Sequence, residues 1–146
     1  MTDTNSESPH PSTCLCSAQE LSTLMSSGAP VIILDVRYDL ADPAAGKRAY
    51  AQGHIPGAFY LGLGTDLSGP PLTDAGRHPM PSVEAMTATF AGVGIGPDSV
   101  VVIYDQREGS TAARCWWMLS FLGLATVRVL DGGWAAWQAI GGAQSL

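Results

Sequence analysis

An α/β fold with a small parallel sheet is what this sequence predicts, on three observations. Residues 31–36 (VIILDV) and 100–104 (VVVIY) are short β-branched runs, apolar on both faces as strands of a buried parallel sheet are. Helix-like windows alternate with these runs, the pattern of strands joined by right-handed crossovers. The 146 residues include 17 Gly and 10 Pro, which supplies the sharp turns such connections need. A chain of this length makes one domain with a real core.

The elements follow in order. Residues 1–13 are rich in Ser, Thr, Pro and Asn and read as a disordered tail, with the domain itself at 14–142. Ser17 and Glu20 have capping-box spacing, Leu21, Leu24 and Met25 form an apolar stripe, and Gly28 ends the first helix. After the strand at 31–36 come a helix at about 44–52, a short strand at Phe59–Tyr60 and a helix at about 82–92. The strand at 100–104 leads into the strongest helical window, 112–122, which Gly123 stops. A more exposed strand at 127–130 and a helix at about 134–140 follow, and 143–146 read as the start of an interdomain linker.

Apolar residues make up 46% and charged residues 14%, against a usual charged share of ~25%. The net charge of −6 argues against a nucleic-acid footprint and against an anionic membrane surface. Lys47 is the single Lys, which leaves Arg for anion contacts. No apolar run reaches the length of a membrane span, and the N-terminus shows no signal-peptide pattern. Three cysteines (Cys14, Cys16 and Cys115) make no even disulfide framework, so a reducing, cytoplasmic setting is expected. The Cys14-x-Cys16 pair has only His10 nearby and lacks zinc-like spacing, so neither a metal nor any other cofactor is expected.

Sites in open parallel sheets form beyond the carboxyl ends of the strands. Two such ends carry polar residues: Asp35-Val36-Arg37, and the loop Asp105-Gln106-Arg107-Glu108-Gly109-Ser110 that runs straight into a helix. That second loop reads either as an anion cradle at a helix N-terminus or as an ordinary βα connection. Asp35 and Arg37 read as a structural pair or loop clamp rather than as substrate contacts. Arg107 and Glu108 read as solvated loop charges. His54, ahead of Ile55-Pro56-Gly57, reads as a backbone hydrogen-bonding partner rather than a titrating catalyst. Cys115 reads as a small buried hydrophobe. Of Trp116 and Trp117, one reads as facing a partner, because adjacent helix positions cannot share a face.

Four motifs carry a resemblance. They are Leu34-Asp35-Val36-Arg37-Tyr38-Asp39-Leu40; Gly53-His54-Ile55-Pro56-Gly57-Ala58; Gly76-Arg77-His78-Pro79-Met80-Pro81; and Tyr104-Asp105 through Ala112-Ala113-Arg114-Cys115-Trp116-Trp117, followed by Leu130-Asp131-Gly132-Gly133. In these the chain resembles the rhodanese family over about residues 15–141, and specifically the N-terminal domain of tandem thiosulfate and 3-mercaptopyruvate sulfurtransferases. The resemblance implies a three-layer α/β/α fold. It implies sulfane-sulfur transfer to a thiophilic acceptor such as cyanide or a thiol, through a persulfide on a loop cysteine. It implies a small sulfur-donor anion as substrate, and a second rhodanese domain or equivalent subunit as partner. It also makes the loop of Arg77 and His78 a domain-packing element, and places Asp35, Arg37, His54 and Arg114 as loop or interdomain support.

The sequence departs from the family at the loop's first position, where Asp105 stands in place of the cysteine. A carboxylate cannot become a persulfide, so no catalytic residue is expected in this chain and the chain alone is expected to be inert. Cys16 stands where the family has a small apolar residue opening the first helix. A Cys-x5-Arg phosphatase loop is excluded, since Asp105 is followed at the sixth position by Thr111, and Cys115 by Phe121. The competing reading is a stand-alone, non-catalytic binding or regulatory module.

Overall fold

The computed structural model describes residues 14–74 and 76–146. The tail at residues 1–13, with His10, lies outside the described residues, as does Ala75. The elements run β1 (Leu15–Cys16), α1 (Ala18–Ser26), β2 (Ile32–Asp35), α2 (Ala45–Gln52), β3 (Phe59–Tyr60), α3 (Val83–Gly92), β4 (Val100–Tyr104), α4 (Ser110–Phe121), β5 (Thr126–Leu130) and α5 (Gly133–Ala139). The strands pair in parallel in the order β1-β5-β4-β2-β3.

Register and alternation set the layers. Leu34 lies beside Ile103, and Asp35 beside Tyr104. Side chains of successive strand residues point to opposite faces. Leu34, Val101 and Ile103 therefore pack with Met86 and Phe90 of α3 and with Cys115, Met118 and Leu119 of α4. Ile33, Val102 and Tyr104 pack on the other face with Leu21 of α1 and with Trp134 and Trp137 of α5. This is a three-layer α/β/α domain with two cores, one on each side of the sheet. Among the described residues, no helix is long and apolar enough to cross a membrane.

The structure differs from the sequence reading in several places. Cys16 does not open a helix; it is the second residue of β1. The Cys14 and Cys16 carbonyls accept from the Val129 and Asp131 N–H groups, both at 2.8 Å. Ser17 Oγ does cap α1, accepting from the Glu20 N–H at 3.0 Å. The Glu20 carboxylate instead reaches Arg128 of β5 at 3.1 Å, so only half of the capping box forms. Helix α4 starts at Ser110, two residues early, behind Gly109 in the left-handed region at φ 83°. Residues 143–146 lie against the domain. The Trp137 indole donates to the Ala143 carbonyl at 2.8 Å, and Ser145 and His54 exchange both backbone hydrogen bonds at 2.9 Å.

Candidate functional site

The carboxyl ends of β2 and β4 are joined by a buried charge network. Asp35 is fully buried, and Arg37 is 4% exposed. Arg37 Nη2 donates to Asp35 Oδ2 at 2.7 Å, and Nε lies 3.1 Å from both carboxylate oxygens. The same Nη2 donates to the Gly53 carbonyl at 2.7 Å, and the guanidinium lies over the Trp134 ring, 4.5 Å from its centre. Tyr104 completes the network. Its hydroxyl donates to Asp35 Oδ2 at 2.7 Å and accepts from the Ile55 N–H at 3.2 Å. Burial, and then the Asp35 charge, push the Tyr104 phenol far above the ordinary tyrosine range. Asp35 and Arg37 are thus committed to each other and to the Gly53–Ile55 turn.

The loop after β4 is organised by its first side chain. Asp105 is 6% exposed. Its Oδ1 accepts from the Gly109 N–H and its Oδ2 from the Ala112 N–H, both at 3.1 Å. Gly109 has no side chain with which to cap α4, so Asp105 serves the helix N-terminus from seven residues away in sequence from Ala112. From the other side, α5 holds the loop's carbonyls. The Trp134 N–H donates to Asp105 O at 2.8 Å, and the Ala135 N–H to Gln106 O at 3.1 Å. Gly133 makes this approach possible: at φ 58°, a Cβ there would sit 2.4 Å from Asp105 O. Gln106, Arg107, Glu108 and Ser110 are exposed. A cleft of about 440 Å³ opens between this loop and α2, lined by Arg37, Tyr38, Leu40, Gly46, Gln106 and Glu108 among others.

The other predicted site residues make separate contacts or face solvent. His54 Nδ1 lies 2.9 Å from the Tyr50 carbonyl, and its ring stacks on Tyr50 at 3.8 Å. His78 Nε2 lies 3.3 Å from the Tyr38 hydroxyl, edge-on to its ring. Arg77 is exposed. Arg114 ties two loops to α4: it reaches the Leu67 carbonyl at 2.9 Å and the Pro79 carbonyl at 3.1 Å. Its burial lowers its pKa from the usual arginine range. Sequence reasoning placed Arg114 as support without naming these partners. One signal was available: Ser110, Thr111, Trp117 and Met118, its helical neighbours, include no carboxylate, so its guanidinium must seek acceptors off the helix.

Two of the cysteines are buried. Cys115 is fully buried in the α3–α4 core, and burial drives its thiol far above the ordinary range. Cys16 is also fully buried. Burial raises its pKa, with Arg128 opposing and Glu20 reinforcing. Thiolates are the reactive form. In the folded chain, iodoacetamide at mildly alkaline pH is therefore expected to leave Cys16 and Cys115 unmodified, and to label both after denaturation. Peptide mass spectrometry checks this, and labelling of Cys115 at the unfolded rate would contradict it. Among the described residues, no three His, Cys, Asp or Glu side chains converge as a metal site. On α4, the Trp116 indole donates to the Val127 carbonyl at 3.0 Å, whereas Trp117 is 45% exposed and stacks on Phe121.

A family model for the rhodanese-like domain matches residues 17–140. The chain belongs to the rhodanese-like domain family. It is 45% identical over 128 residues to SseB of Mycobacterium tuberculosis, named as a thiosulfate sulfurtransferase, covering 88% of this chain and 45% of that one. It is 34% identical over 110 residues to the 3-mercaptopyruvate sulfurtransferase of Escherichia coli, covering 73% and 37%. The structure superposes on 3-mercaptopyruvate sulfurtransferase from Leishmania major with a TM-score of 0.84 at 28% identity, covering 94% of this chain and 37% of that one. The chain thus spans less than half the length of these relatives. Within this rhodanese-like domain, the loop Asp105–Ser110 and the clamp Asp35–Arg37 meet at one pole, with His54 beside them at the Gly53–Ile55 turn.

Proposed function

We propose that this rhodanese-like domain is the N-terminal, non-catalytic unit of a tandem sulfurtransferase. The complete enzyme moves sulfane sulfur from thiosulfate or 3-mercaptopyruvate to a thiophilic acceptor such as cyanide or a thiol. The observation that carries this reading is Asp105: the loop that would present a nucleophile presents a buried carboxylate bound to its own loop amides. Sulfur transfer needs a thiolate that attacks the donor's outer sulfur and holds it as a persulfide. A carboxylate forms no such bond, and Cys115 and Cys16 sit in the two hydrophobic cores. The domain then contributes scaffold and one wall of an interdomain site, in a cytoplasmic setting. The catalytic cysteine comes from a second rhodanese domain or an equivalent subunit.

The purified chain is accordingly expected to show thiosulfate:cyanide sulfurtransferase activity no higher than background. It is also expected to gain no sulfur, a step of ~32 Da, on any cysteine after thiosulfate treatment. Activity above background that Cys115→Ser abolishes would overturn the inert assignment. The exposed Trp117 and Phe121 favour a unit that packs against a partner over a self-sufficient binding module. Static light scattering and dye binding separate the two, since a monodisperse, dye-silent chain is what the module reading requires.

A further inference from the structure

The chain has five glutamines, and four of them line a single cleft of about 280 Å³. They come from four separate places. Gln52 ends α2, Gln106 lies in the loop after β4, Gln138 is on α5, and Gln144 is in the segment that follows. Among the described residues, none of these four side-chain amides has a hydrogen-bond partner. Each offers a carbonyl that accepts and an NH₂ that donates.

Exposed glutamines are ordinary on a protein surface, but Arg37, which lines the same cleft, is not exposed. It is 4% exposed, and its Nε and Nη2 are spent on Asp35 and the Gly53 carbonyl. Nη1 carries the remaining donors of the guanidinium and has no partner among the described residues. Nor is Nη1 sealed in, since no fully buried side-chain nitrogen of the described residues goes unpaired. It therefore opens on the space that Arg37 lines. The guanidinium is held over Trp134 and on Asp35, so this donor is fixed in direction before any ligand arrives.

The charge balance selects the ligand. Arg37 is the one charged residue lining this cleft, and Asp35 matches its charge. The larger cleft beside α2 shares Arg37, Ala49 and Gln106 with it and adds Asp39 and Glu108. The chain as a whole carries −6. An anion is disfavoured on each count. A neutral group that both accepts and donates suits a fixed N–H donor ringed by amides.

We propose that this glutamine-lined cleft binds a small neutral molecule bearing an amide group. The ligand's carbonyl accepts from Arg37 Nη1, and its other polar atoms exchange hydrogen bonds with the glutamine amides. Such a site lies beyond sulfur transfer and does not depend on it.

The test is a titration of N-acetylglycinamide into the ¹⁵N-labelled chain, following the glutamine side-chain amide signals, with sodium acetate as the anionic comparison. Gln19 stands on α1, does not line the cleft, and serves as the internal control. The four cleft signals are expected to move saturably in the millimolar range, as a ligand of so few atoms allows. Gln19 is expected to stay still, and acetate to bind more weakly than the amide. Replacing Gln52→Ala and Gln138→Ala together is expected to weaken binding at least about fivefold, as the loss of one or more hydrogen bonds implies. Both side chains are exposed and unbonded to the described residues, so the fold does not rest on them. Absence of saturable movement overturns the proposal, and so does equal movement of Gln19. Acetate binding as tightly as the amide, or an unchanged affinity in the double variant, overturns it too. A blocked tetra-alanine peptide that binds more tightly than N-acetylglycinamide overturns the assignment to a small molecule.

Discussion

Replacing Arg37 with alanine is expected to destabilise the domain by about 3–5 kcal/mol, the range for removing one partner of a buried ion pair. Asp35 is fully buried, and without Arg37 its carboxylate keeps only the Tyr104 hydroxyl and the residue 37 N–H as donors. The Gly53 carbonyl loses its 2.7 Å partner and the Trp134 face loses the guanidinium over it. At roughly 3 °C per kcal/mol for a domain of this size, melting falls by roughly 10–15 °C. Urea denaturation gives the same quantity independently. Removing both charges with Asp35→Asn and Arg37→Met should cost less than the sum of the single changes, because no buried charge is left uncompensated. A loss below about 1 kcal/mol for Arg37→Ala, the level of an exposed pair, would show that the network is not desolvated.

Gly133→Ala is expected to cost roughly 3 kcal/mol: about 1–2 for the left-handed backbone, and about 1 for each hydrogen bond forced apart. The added methyl would meet Asp105 O at 2.4 Å and Gln106 C at 3.0 Å. Those are main-chain atoms, so either α5 backs away or the loop shifts. Either movement strains the Trp134 N–H to Asp105 O and Ala135 N–H to Gln106 O bonds. Gly109→Ala is the comparison. Gly109 has a φ of 83° but open space around its missing Cβ, so only the backbone cost of about 1–2 kcal/mol applies. Equal losses in the two variants, measured by urea denaturation, would show that α5 does not grip the loop.

What was legible follows from where the signal is local. The runs at 31–36 and 100–104 announce β2 and β4 because parallel strands are apolar on both faces, and both form. Strand β1 was not legible. Two residues beside a polar segment show no alternation, and Leu15–Cys16 become a strand only through pairing with Val129–Leu130. Likewise Asp35 and Arg37, two apart, suggest each other, while Tyr104 and Trp134 enter their network from β4 and α5. Asp105 could be seen as a negative charge in a cradle. That it satisfies the cradle's own amides depends on Gly109 turning the chain back at positive φ. The stacking of His54 on Tyr50 and the reach of Arg114 to Pro79 are tertiary facts with no counterpart in spacing.

The strand order has a consequence for how the molecule comes into being. From β2 onward, each new strand docks beside one already made: β3 and then β4 flank β2, and β5 adds to β4. A sheet assembled in chain order would grow outward from β2. Strand β1 is the exception and is expected to seat last, because its partner Val129–Leu130 is more than a hundred residues downstream. Closing so long a loop is entropically unfavourable and slow, and the gain is a two-residue edge. The N-terminal end of the domain is therefore the latest part to gain protection from amide exchange during folding, and the first to lose it when the native state frays.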